Sequence, residues 1–143
     1  MANSAYAEKP DLIKVMVIDD SNTIRRSAEI FLLRAGYQVI LAEDGFEALA
    51  KIADHQPHII FCDIMMPRLD GYQTCSLIKK SQRFHLTPVI LLSSRDGLFD
   101  RARGRMAGSN QYLVKPFTKD SLLQAVATFV QQPLMENARQ ATQ

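Results

Sequence analysis

Four short apolar runs constrain this chain more than any other feature, because each ends in side chains suited to phosphate or metal. Val15-Met16-Val17-Ile18 leads into Asp19-Asp20, and Ile59-Ile60-Phe61-Cys62 leads into Asp63. Val89-Ile90-Leu91-Leu92 leads into Ser93, and Gln111-Tyr112-Leu113-Val114 leads into Lys115-Pro116. Runs that are continuously apolar rather than alternating read as strands buried on both faces. Helical patterns lie between them, which implies parallel pairing through right-handed crossovers. In an open parallel sheet, ligands bind outside the carboxyl ends of the strands. Asp19, Asp20, Asp63, Ser93 and Lys115 are therefore expected to converge on one site, although Asp19 and Lys115 are far apart in the chain.

The segments between the runs carry their own signals. After a first strand at about Lys14 to Ile18, Ile24, Ala28, Phe31, Leu32 and Ala35 mark one helix face, with Arg25, Arg26 and Arg34 off it. Gly36 ends that helix, and Tyr37 to Leu41 reads as a further strand. Asp44 caps the next helix, and Glu47 three positions on completes a capping-box-like pattern. Asp70-Gly71 opens a helix through about Ser81, and Pro88 precedes the fourth strand. A helix around Phe99 to Ala107 reads as weak because of two glycines, Gly104 and Gly108, and Thr118 caps the last helix. Leu122, Leu123, Val126, Phe129 and Val130 of that last helix are expected to face the sheet. The fold class is α/β: a doubly wound, five-stranded parallel sheet forming one domain over 14–131. Residues 1–13 read as an N-terminal extension and 132–143 as a disordered tail.

Seventeen basic against fifteen acidic residues give a net charge of +2, too small to argue for nucleic-acid or membrane binding. No signal-peptide core and no membrane-length apolar stretch are present, so a cytoplasmic protein is expected. Cys62 and Cys75 lack zinc-like spacing and are expected to be free thiols with a packing role. Pro57 breaks the helix between His55 and His58, which argues against a metal pair there. Arg101, Arg103 and Arg105 alternate and do not share a helical face, so a solvated helix is expected rather than a nucleic-acid stripe.

Asp19, Asp20 and Asp63 place three carboxylates in one cleft. Two like charges about 4 Å apart repel by roughly 4 kcal/mol at an effective dielectric of 20. One lysine cannot offset three such charges, whereas a divalent cation can, and an all-oxygen set of few protein ligands suits Mg2+. Lys115 then offers positive charge and Ser93 a hydroxyl to a phosphoryl group, which needs mainly positioning and neutralisation. No phosphate-cradling glycine loop follows any strand, so nucleotide binding is not expected. Asp63 itself is the available nucleophile, and its product would be an acyl phosphate.

These residues carry a family resemblance. Asp19-Asp20-Ser21, the stretch Asp63-Ile64-Met65-Met66-Pro67-Arg68-Leu69-Asp70-Gly71, Pro88 through Ser93, and Lys115-Pro116-Phe117 resemble response regulator receiver domains in order and spacing. The resemblance covers about Lys14 to Gln131 and implies a flavodoxin-like sheet of order 2-1-3-4-5. It further implies that a histidine kinase or phosphotransfer protein phosphorylates Asp63. Asp20, Asp63 and the backbone carbonyl of Met65 would hold Mg2+, with Asp19 acting through water. Lys115 would contact the phosphoryl group beside a cis Lys115–Pro116 bond, and Ser93 and Tyr112 would be switch residues. Arg68 to Cys75 and Ser93 to Asp100 are similar to stand-alone chemosensory receivers of type IV pilus pathways, which implies a pilus motor or regulator as target. The expected output face is helix four, strand five and helix five.

Three other readings compete. A phosphoryl-shuttling receiver in a phosphorelay would use the same residues. An Asp-nucleophile phosphatase would want a second acid where Met65 stands, and a flavin-binding domain would want a hydroxyl-rich loop where Asp19-Asp20 stand. A DNA-binding regulator would need an output domain, for which the sequence leaves little room.

Overall fold

Residues 13–131 are described by the computed structural model. The N-terminal extension and the tail of the sequence reading lie outside them, apart from Ile13. The elements run β1 (Lys14–Ile18), α1 (Asn22–Arg34), β2 (Gln38–Ala42), α2 (Gly45–His55), β3 (Ile59–Asp63), α3 (Gly71–Lys80), β4 (Val89–Ser93), α4 (Leu98–Met106), β5 (Gln111–Val114) and α5 (Lys119–Val126). A π-helical turn, Ala127–Gln131, follows. The five strands form one sheet of order β2-β1-β3-β4-β5, every pair parallel. This is the expected architecture.

Alternation along each strand builds two cores. Met16, Ile18, Ile60, Cys62, Val89 and Leu91 point to the side covered by α2 and α3, against Ala48, Ile52, Cys75 and Ile78. Val15, Val17, Ile59, Phe61, Ile90 and Leu92 point to the other side, against Ala28 and Leu32 of α1 and Leu122 and Val126 of α5. Each fully buried side chain of this kind is worth about 1.5–3 kcal/mol, against about 0–1 for a surface ion pair. The apolar sandwich, not the charged rim, therefore holds the strand ends in place. Both cysteines are free and buried in the first core. Burial pushes the Cys62 thiol well up and the Cys75 thiol to about 11, so both are unreactive and serve packing.

Several local expectations shift. β2 lies one residue later than read, because its register pairs Lys14 with Gln38 and Ile18 with Ala42. Tyr37 is buried just ahead of it. α4 begins one residue earlier, at Leu98. The α2 cap is half of the expected box: Asp44 Oδ1 accepts from the Glu47 amide at 2.8 Å, but the Glu47 carboxylate pairs with Lys51 at 2.9 Å. Ala35 is exposed rather than on the buried face, and Arg25 is buried rather than off it. Arg25, Ala28 and Leu32 are the buried residues of α1, so the true stripe runs i, i+3, i+7 from the arginine.

Candidate functional site

The β1 end is held by its own neighbours. The Asp19 amide donates to Ala42 O at 3.1 Å, and Asp19 Oδ1 accepts from the Ser21 amide at 2.9 Å. Ser21 caps α1 by accepting from the Ile24 amide at 3.3 Å. Arg25 donates to the Asp19 carbonyl at 2.5 Å, bonds to Asn22 Oδ1, and lies 3.6 Å from Glu43. Asp19 is thus fully buried with each polar atom placed, while Asp20 beside it is exposed.

At the β3 end, the chain turns directly from Asp63 into a loop that returns to α3. The Ile64 amide donates to Leu92 O at 3.0 Å, and the Gly71 amide donates to Ile64 O at 2.9 Å. A Cβ on Gly71 would stand 2.3 Å from the Asp63 carbonyl, so only glycine allows α3 to start this close to the acid. Asp70 and Gln73 complete a capping box there. Arg68 adopts a left-handed φ of 68° and reaches Asp44 at 3.2 Å, with its guanidinium over the Phe46 ring. That brace ties the loop containing Met65 to the start of α2.

Lys115 closes the site from β5. Its Nζ donates to Asp19 Oδ2 at 2.7 Å and Asp63 Oδ1 at 2.9 Å. Its amide donates to Ser93 O at 2.7 Å, and the Lys115–Pro116 bond is cis. Burial alone would lower the Lys115 ammonium, but its bonds to Asp19 and Asp63 outweigh this and raise it. Burial pushes the Asp63 carboxyl from 3.8 to about 6, with Lys115 pulling it down and the Asp19 charge pushing it up. Ser93 is buried, and its Oγ accepts from the Arg95 amide at 3.0 Å.

The carboxylate oxygens of Asp19, Asp20 and Asp63 lie within 4.8 Å of one another. The raised Asp63 carboxyl reflects its burial first, with Asp19 and Asp20 adding to the rise and Lys115 opposing it. The donor set is all oxygen, which fits a hard divalent cation. The five predicted residues are therefore together, and the Met65 backbone follows Asp63 by two positions. His55 and His58 are not part of the site: Lys14 donates its amide to His58 Nδ1 at 2.9 Å and its Nζ to His55 O at 3.1 Å.

Two sets of contacts next to the site escaped the sequence reading, although it named Tyr112 as a switch residue. Arg25 makes one, and its helical spacing to Ala28 and Leu32 was the signal available. The other is a pair of aromatic clasps under α4. Tyr112 donates to Arg95 O at 2.7 Å and Tyr72 to Asp100 O at 3.3 Å. Arg101 lies 5.2 Å over the Tyr112 ring and Arg103 lies 4.4 Å over that of Tyr72. Neither arginine is the simply solvated charge that its alternating position suggested.

A parallel sheet of this order, with three acids, a buried hydroxyl and a lysine at its strand ends, defines a phosphorylation receiver. The chain belongs to the response regulator receiver domain family, whose profile matches residues 15–127. Members of that family act as phosphorylation switches, typically signal rather than catalyse metabolism, and bind Mg2+ at this acidic cluster. The chain is 64% identical over 123 residues to protein PilG of Pseudomonas aeruginosa, covering 86% of this chain and 91% of that protein. It is 39% identical over 111 residues to the response regulator MprA of a Mycobacterium species, covering 78% of this chain and 47% of that protein. Among solved structures, the chemotaxis protein CheY4 of Vibrio cholerae superposes with a TM-score of 0.79 at 31% identity, over 82% of this chain and 98% of that one. The receiver domain of the Francisella response regulator 1452 gives 0.78 at 34% identity, over 85% and 98%.

Proposed function

We propose that Asp63 is the phosphoacceptor of a phosphorylation-controlled interaction switch. The observation that carries this is the Lys115 ammonium bridging Asp19 and Asp63 at the edge of a three-acid cluster, with Ser93 one strand away. A carboxylate oxygen of Asp63 attacks the phosphorus of a phosphohistidine on a histidine kinase or phosphotransfer protein. A P–O bond forms, the P–N bond breaks, and the imidazole nitrogen leaves with the electron pair. Asp20, Asp63 and the Met65 carbonyl would hold Mg2+, with Asp19 acting through water, and the ion supplies charge neutralisation for the incoming phosphate. Lys115 stays on the phosphoryl oxygens, and the Ser93 hydroxyl donates to one of them. Water later cleaves the acyl phosphate and restores the carboxylate, so the protein catalyses only its own phosphorylation and dephosphorylation.

The added charge of about −1.5 to −2 draws Ser93 inward and frees space beside Tyr112. Tyr112 and α4 then shift, and the face of α4, β5 and α5 presents the signal to a protein target. The similarity to PilG supports a place in type IV pilus chemosensory signalling, with a pilus motor or regulator as that target. In all the described residues no helix is long and apolar enough to cross a membrane, which is compatible with a cytoplasmic site of action.

Acetyl phosphate with Mg2+ should label the wild-type protein on Asp63, and chelation should abolish the labelling. Strong labelling of Asp63→Asn under the same conditions would reject the assignment.

A further inference from the structure

A groove of about 480 Å³ runs between α3 and α4 and takes no part in the phosphorylation reading. Leu69, Tyr72, Leu77, Lys80, Arg103 and Met106 line it. It exists because the two helices rest on different strands: α3 packs on β3 and β4 and α4 packs on β5, and side chains rather than close backbone join them, Tyr72 to Asp100 and Arg103, and Cys75 to the Ala107 carbonyl. Its walls carry exposed apolar side chains, Leu77 at 47% and Met106 at 89%. Phe99, 79% exposed, continues the Met106 stripe along α4, with Arg103 between them at helical spacing. Contiguous exposed apolar surface of this kind marks an interaction site.

Charge narrows the occupant. Lys80 stands on one wall and Arg103 on the other, and no acidic side chain lines the groove. Neither cation takes part in an ion pair among the described residues. Arg103 spends its guanidinium face on Tyr72 and keeps its donors free of carboxylates. Two helical walls with no strand edge between them accept a third helix rather than an extended peptide. We propose that this groove docks an amphipathic helix of a protein partner, with an apolar stripe flanked by Glu or Asp.

Other occupants fit less well. A nucleic acid would meet an apolar floor. A second copy in two-fold symmetry would bring Lys80 and Arg103 against their own kind. The segment after Gln131 follows α5, which packs on the opposite side of the sheet, and its single acid, Glu136, is offset by Arg139.

The test uses the full chain, unphosphorylated and without metal, so that it stands apart from the Asp63 assignment. The probe is a synthetic helical peptide with a leucine stripe flanked by glutamates, beside a twin with lysines in place of the glutamates. Amide shifts are expected at Ser76, Leu77, Lys80, Arg103 and Met106, with the acidic peptide bound roughly tenfold more tightly than its twin. Lys80→Glu with Arg103→Glu should reverse that preference. Leu77→Ser with Met106→Ser should weaken both peptides while the circular dichroism stays unchanged. Equal binding of the two peptides, or shifts confined to another face, would overturn the proposal. So would groove shifts that follow protein concentration without peptide, which indicate a second copy. Groove shifts on removal of residues 132–143 would overturn it too, because they indicate the chain's own tail.

Discussion

The two ends of the site are built differently. Around β1 and β3, the acids sit on backbone that is fixed from several sides. Arg25 and the Ala42 carbonyl hold the Asp19 main chain, Lys115 and the Ser21 amide hold its carboxylate, and Gly71 seats α3 directly against Asp63. One strand away, α4 follows Gly97, an N-cap residue with no side chain to cap it, and leaves Leu98, Phe99 and Met106 exposed. It is held by the Tyr72 and Tyr112 hydroxyls, two arginine stacks and the close seat of Gly104, where a Cβ would press on Leu91 and Tyr112 at 3.2–3.3 Å. Local stability in proteins follows such differences in burial and bonding. Asp63 thus stands on the more firmly bonded side, and α4 is the less firmly bonded element beside it.

Lys115→Ala should strike the fixed side hardest. It leaves the buried Asp19 carboxylate without its ammonium partner and removes the only cation bonded to Asp63 among the described residues. A loss of about 2–4 kcal/mol is expected at pH 7 without metal, by urea unfolding. If the loss were confined to faster amide exchange in α4, the fixed side would be the wrong one.

Asp63→Asn should act in the opposite direction. Because the folded carboxyl is raised from 3.8 to about 6, protonation favours the folded state. That contribution is complete below pH 4 and is lost as pH rises through 6. Without metal, the variant should therefore gain on the wild type between pH 4 and 6, by about 1–3 kcal/mol at pH 7. Mg2+ should erase most of the difference by stabilising the wild type alone. Parallel urea curves at pH 4 and pH 7, with no gain for Asn, would mean that neither burial nor the neighbouring acids raise the Asp63 carboxyl in the folded state.

This contrast was only half legible in the sequence. Val15 to Asp19, Ile59 to Asp63 and Val89 to Ser93 announce both the buried strands and the residues at their ends, because strand period and strand termini are local properties. The sheet order came by resemblance and agrees with the structure. The braces were not legible. Arg25 looked like a surface charge on α1, although its spacing to Ala28 and Leu32 already placed it on the buried stripe. The clasps of Tyr72 on Asp100 and Tyr112 on Arg95 join residues far apart in the chain, and no local pattern encodes them. The same holds for Arg68, which combines a left-handed backbone with a reach to Asp44, a residue distant in the chain. Gly104 read as mere helix weakness, whereas it is also the close contact that lets α4 sit on β5.

Tyr112→Phe should loosen the compliant side with little effect on the fixed one. It keeps the ring under Arg101 and removes the hydrogen bond to the Arg95 carbonyl. A cost of about 0.5–1.5 kcal/mol is expected, read as faster amide exchange from Arg95 to Asp100. Equal acceleration in β1 and β3 would mean that the two regions open as one unit and that the comparison fails.

The smallest expected effect comes from giving α4 what the other helices have. Gly97 sits at φ −80° and ψ 158°, an extended N-cap geometry open to any residue. An asparagine there can accept from the Phe99 or Asp100 amide, worth a few tenths of a kcal/mol over glycine. Its Cβ would lie 3.1 Å from Asp100 Oδ2, so Asp100 must turn aside, and a neutral amide serves where a second carboxylate would repel. Gly97→Asn should slow exchange in the first turn of α4. It should also reduce the Tyr112 shift on phosphorylation by up to about twofold, since a few tenths of a kcal/mol moves a two-state population by no more than that. If α4 tightens and the Tyr112 response is undiminished, the compliance that matters lies in the β4–α4 loop before Gly97, where Arg95 joins Ser93 to Tyr112.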